Sequence, residues 1–139
     1  MNLHEETVFF VKEESRFTSL VINNLQKNFD TGLYLEMGYA NLYQYCIKAL
    51  GYSEHCAYRR LAVVEMAREF PEIKEKLDGG SLNLTTLSMA HSLISSATPE
   101  KKREIIKEME NCSKREVKEI LATHFPTKVK PKVFKIYFR

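Results

Sequence analysis

The residues from which catalysis would have to be built are few and scattered. His4, His55, His91 and His124 fall on separate segments. His55-Cys56 with Cys46 lacks the spacing of a zinc site. Asp78-Gly79-Gly80-Ser81 is not followed by the Gly-Lys of a phosphate-binding loop. Glu13-Glu14 is a carboxylate pair on a solvated helix. His91 sits in an apolar stripe and reads as a satisfied core histidine, not a base. These patterns predict a chain without its own catalysis, metal or cofactor.

A different chemistry is concentrated at Ser53, His55, Tyr58 and Arg59. They lie within Leu50–Phe70, which reads as a turn and one well-marked helix. Gly51 closes what precedes it. The Ser53 hydroxyl can accept from the unpaired N–H groups of a helix start. Glu54 suits the positive end of the helix dipole. Pro71 stops the helix, because the residue before proline avoids the α region. At 100° steps, Cys56, Ala57, Leu61, Val63, Val64, Ala67 and Phe70 share one side. Glu54, His55, Tyr58, Arg59, Ala62, Glu65 and Glu69 share the other. Arg60 falls on the apolar side, which predicts snorkelling or an internal pair with a carboxylate such as Glu36 or Glu65. His, Tyr and Arg near the start of a helix that follows a tight turn suit a DNA groove. The plainer alternative is a core helix with a solvated face.

The elements around this stretch read as helices. Glu5–Phe29 has no Pro or Gly, and Phe10, Phe17, Leu20, Val21 and Leu25 recur at helical spacing. Asp30-Thr31-Gly32 closes it. Leu33–Met37 is a short helix or turn. A third helix covers 41–50, before the one at 54–70. Glu72–Leu77 is short and ends at Gly79-Gly80. A helix at 85–96 buries Leu84, Leu87, Ala90, His91 and Ile94. Thr98-Pro99 is an N-cap with proline at the first helical position, opening a charged helix over 99–111. Ser113 and Glu116 have capping-box spacing and open a last helix that ends near His124. After it comes a basic linker, 126–131. Residues 132–139 alternate, with Phe134, Ile136 and Phe138 against Lys135, Tyr137 and Arg139, which is a strand pattern. An isolated strand is not stable, so it should pair with a second copy, dock as an arm, or belong to a domain that begins there.

The expected fold is therefore mainly α: a multi-helix bundle containing a helix-turn-helix at about 41–70, with a short C-terminal β-strand. The helical domain is 1–124, and 125–139 is linker and strand. At 139 residues the chain can bury a core without staples. No signal peptide or membrane-length apolar run is evident. Three cysteines at unrelated spacings suggest reduced thiols and a cytoplasmic setting. The net charge of +3 is uneven. Lys128, Lys130, Lys132, Lys135 and Arg139 make the tail a polycation without a single acid. Taking those five from the 21 basic residues leaves 16 against 18 acids in the body.

The motif order resembles known helical modules. Ala49-Leu50-Gly51-Tyr52-Ser53, Tyr58-Arg59-Arg60-Leu61, Phe70-Pro71-Glu72-Ile73, Gly80-Ser81-Leu82-Asn83-Leu84 and Ser113-Lys114-Arg115-Glu116-Val117 follow one another as in the helical DNA-binding half of ParB-type partition proteins. Gly38-Tyr39-Ala40-Asn41-Leu42-Tyr43-Gln44-Tyr45-Cys46 and Leu50–Arg60, with Gly80–Leu87, are similar to the N-terminal helical region of a bacterial HNH endonuclease-like family. In that family a nuclease domain follows, whereas no His-Asn-His metal motif follows in this sequence. The resemblance implies a DNA-associated helical module without the nuclease. It maps Ser53–Ala62 to the second helix of a helix-turn-helix, with His55, Tyr58 and Arg59 offered to a groove and Ala62 allowing close approach. Lys128, Lys130, Lys132, Lys135 and Arg139 would add non-specific phosphate contacts. Glu54, Glu65 and Glu69 beside Arg59 would oppose phosphates. The competing expectation is a helical adaptor that self-associates through the 132–139 strand and the aromatics of the first helix.

Overall fold

A computed structural model describes residues 1–126. The 132–139 strand and the five basic tail residues, Lys128, Lys130, Lys132, Lys135 and Arg139, lie outside the described residues. Within 1–126 the protein is mainly helical. The elements are α1 (Leu3–Thr31), α2 (Leu33–Glu36), α3 (Leu42–Gln44) with a π-helical turn at Tyr45–Ala49, α4 (Glu54–Glu69), α5 (Glu72–Gly79), α6 (Leu84–Ile94), α7 (Pro99–Glu108) and α8 (Lys114–His124).

Local chemistry sets most of the boundaries. The Asn2 side chain accepts from the Glu5 N–H and starts α1. Gly32, at φ 74°, takes the left-handed conformation that ends it. Thr98 caps α7 with proline behind it. Ser113 and Glu116 form the reciprocal capping box of α8: the Glu116 N–H donates to the Ser113 hydroxyl at 3.2 Å, and the Ser113 N–H donates to the Glu116 carboxylate at 2.9 Å.

α4 is the centre of the bundle. It packs against α1, α5 and α6, and it also touches α3 and the π-helical turn. One continuous core joins Ile22 and Leu25 of α1, Leu61, Val63 and Val64 of α4, Ile73 and Leu77 of α5, Leu87 and Ile94 of α6, Ile105 of α7, and Val117 and Leu121 of α8. Each such side chain removed from water contributes about 1.5–3 kcal/mol. α5 runs back along α1. The Ser19 hydroxyl donates to the Lys74 carbonyl at 3.0 Å, and the Lys74 ammonium donates to the Asn23 side chain at 3.1 Å. At the far end of α5, Gly80 comes up against Ser15.

The two-sided reading of α4 is corrected by its packing. Ala62, expected on the outward side, is 0% exposed. Met66, assigned to neither side, is buried as well, and Ala67 is buried as expected. α6 packs along α4, and Glu65, one turn on from Ala62, meets His91 of α6. His91, expected in the buried stripe of α6, is only partly buried and faces Glu65 across the gap to α4.

Candidate nucleic-acid interface

The site begins in the backbone before α4. The π-helical turn at Tyr45–Ala49 widens the last helical coil of the preceding segment. Such insertions are uncommon and concentrate at functional sites. The Leu50 N–H reaches back to the Tyr45 carbonyl at 3.3 Å, and the Tyr52 N–H to the Cys46 carbonyl at 3.1 Å. Gly51, at φ 78°, makes the left-handed step between them. The chain then turns into α4, where the Ser53 hydroxyl accepts from the Cys56 N–H at 3.2 Å.

This leaves the start of α4 at the surface, with Ala57 its first core residue. Ser53, Glu54 and His55 are exposed, while Tyr58 and Arg59 are partly buried. Burial pushes the Tyr58 phenol up, with the Glu65 carboxylate adding to it. The phenol therefore stays a neutral hydrogen-bonding group at ordinary pH. The sequence-derived set Ser53, His55, Tyr58 and Arg59 thus occupies one end of one helix.

Of the two expectations for Arg60, the carboxylate pair is not formed. No carboxylate holds it in an ion pair among the described residues. Its guanidinium lies over the Tyr52 ring, 4.3 Å from the centroid, and donates to the Cys56 carbonyl at 3.0 Å. A cation stacked on an aromatic face needs no carboxylate to sit at a partly buried position. Tyr52 clamps the turn to the helix in this way. Its role was not legible in sequence, because the contact bridges the Gly51 turn and follows no helical spacing.

Two thiols flank the same arginine. Burial raises Cys46 to about 11 against the opposing field of Arg60. Cys56 is held below the ordinary thiol value by the Ser53 hydrogen bond, then by Arg60 and Arg59. Among the described residues no group of three or more His, Cys, Asp or Glu side chains is placed to hold a metal ion.

The acids expected to oppose phosphates are mostly turned elsewhere. Glu65 pairs with His91 of α6 at 2.6 Å, and this hydrogen bond lowers the Glu65 carboxyl below its usual range. Glu69 takes the Lys102 ammonium of α7 at 3.0 Å. The two pairs rim a shallow cleft of about 130 Å³ floored by Met66, Phe70 and Ile94. The Ser95 hydroxyl on its edge donates to the Ser92 carbonyl at 2.9 Å. The cleft therefore works as a double latch joining α4 to α6 and α7. Glu54 remains beside His55 at the helix start, close enough to act on the Tyr43 phenol. No helix among the described residues is long and apolar enough to cross a membrane.

Comparison with protein-family models, with curated proteins and with solved structures returns no match to this chain.

Proposed function

We propose that this chain is a non-catalytic DNA-binding module of the helix-turn-helix type, with α3 and the π-helical turn as the first helix and α4 as the second. The observation that carries the reading is the division of α4. At its start Ser53, Glu54 and His55 are exposed and Arg59 partly so, while Ala57 and, from Leu61 to Ala67, every residue but Glu65 are held in the core. A recognition helix works in this manner: its N-terminal residues meet base edges and its body is held by the domain. The pairs of Glu65 with His91 and of Glu69 with Lys102 support it further, since each carboxylate is engaged by a neighbouring helix and the Lys102 ammonium offsets the charge of Glu69.

In this reading Arg59 meets phosphate or a guanine edge, and His55 and Tyr58 offer hydrogen bonds. Ser53 holds the helix start. Ala62 has no part in close approach, because it is inside the core. The basic tail residues supply sequence-independent attraction. A mobility shift of the full chain on a mixed-sequence duplex is the first test. Retardation at low salt that fades steeply as salt rises is expected, because phosphate neutralisation releases counterions. Absence of any shift at low salt sinks the reading.

A further inference from the structure

α1 is 29 residues long, about 43 Å, and its neighbours cover only part of it. Its buried residues begin at Ser19, and α5 ends where Gly80 meets Ser15. The stretch 3–14 runs about 18 Å past that point. It carries Val8, Phe9, Phe10 and Val11 in succession, all exposed, Phe10 at 60%. A run of four exposed apolar residues is out of place on a helix unless something covers it. A second apolar cluster lies at the opposite end of the same helix, where Leu33, Leu35 and Met37 around α2 are exposed.

We propose that these two clusters are the two halves of one self-complementary interface, and that the partner is a second copy of this chain. In a two-fold pair with the α1 helices antiparallel, the 3–14 arm of each copy covers the α2 end of the other. Both clusters are then buried at once, which a two-fold interface requires of any patch that is not its own partner. The area fits. At their exposures Val8, Phe9, Phe10, Val11, Leu33, Leu35 and Met37 leave roughly 700 Å² of apolar surface per copy, taking about 150–250 Å² for a full aromatic side chain, and an interface adds polar surface to its apolar share. A stable interface needs about 800 Å² per partner, and a patch left on a monomer is usually about 300–600 Å². The charges fit as well. Antiparallel overlap brings the acidic first turn, Glu5 and Glu6, to Lys27 near the other copy's α1 C-terminus. The interface uses none of Ser53, His55, Tyr58 or Arg59, so its test does not depend on DNA binding.

Sedimentation of the full chain at micromolar concentration tests it. Wild-type protein should run at twice 16.2 kDa. Phe10→Glu and Leu35→Glu should each run at the monomer mass, with unchanged helical circular dichroism because both residues lie outside the core. Mixing the two variants should restore part of the dimer, since one intact arm still meets one intact α2 end. A monomeric wild type overturns the inference, whether the tail or another molecule covers the arm. So does a dimer that Phe10→Glu breaks and Leu35→Glu leaves whole, because arm would then pair with arm.

Discussion

α1 and α4 bury their residues in opposite ways. α4 carries Glu, His, Arg and Ala throughout, yet from Leu61 to Ala67 only Glu65 reaches the surface. α1 begins with a richer apolar stretch, Val8 to Val11, and leaves all of it exposed. Ala62 is 0% exposed and Phe10 is 60% exposed. The difference lies in the neighbours. α4 is flanked by α1, α5 and α6, whereas α5 is only eight residues long and stops at the middle of α1. Burial here follows the reach of adjacent elements more than the hydrophobicity of the residue.

That contrast has measurable consequences. Ile73→Ala in α5 should cost about 3 kcal/mol in urea unfolding, from lost transfer energy and a residual cavity. Phe10→Ala, measured at a dilution where only monomer is present, should change stability by less than about 0.5 kcal/mol. Equal costs would mean that the arm is packed. Ala62→Leu should destabilise by about 2 kcal/mol, because a closed core has no room for the added methylenes. A neutral result would return Ala62 to an outward face. Ser53→Ala removes the cap of α4 and should cost about 1 kcal/mol.

The smallest effect belongs to the latch. Glu65 is held below the usual carboxylate value by His91, so it binds fewer protons folded than unfolded. Its contribution is present above the unfolded carboxylate value, about 4.5, and is lost as pH falls through the lower folded value. Glu72 follows the same sign through Arg103. Glu65→Gln should flatten this part of the acid limb by less than about 1 kcal/mol, since the pair is largely in solvent. A pH–stability profile that is unchanged in the variant would remove the latch from the account.

The sequence made the local signals readable and the tertiary ones not. Gly32, Ser53, Thr98-Pro99 and the Ser113–Glu116 box act within a few residues, and each marks a helix end close to where it falls. Ala57, Leu61, Val63, Val64, Ala67 and Phe70 of α4 and Leu87, Ala90 and Ile94 of α6 were readable from period. The burial of Ala62 was not, because it depends on α6 arriving from more than twenty residues away. The Arg60–Tyr52 stack was hidden by the turn it crosses. The partners of Glu65 and Glu69 lie on α6 and α7, so helix spacing placed the acids on a face but not in their ion pairs. Of the candidate site, the types and the helix were legible at His55, Tyr58 and Arg59, while the electrostatics that surround them were a product of the fold.

The most direct test compares two arginines on one duplex. Fluorescence anisotropy of the full chain on labelled mixed-sequence DNA is measured for wild type, Arg59→Ala and Arg115→Ala. Arg115 is an exposed cation on α8, outside the proposed face. Arg59→Ala should weaken binding by roughly tenfold or more, in line with a lost contact of about 1–3 kcal/mol, and Arg115→Ala should leave it nearly unchanged. Equal losses for both, or no binding by the wild type at low salt, would contradict it.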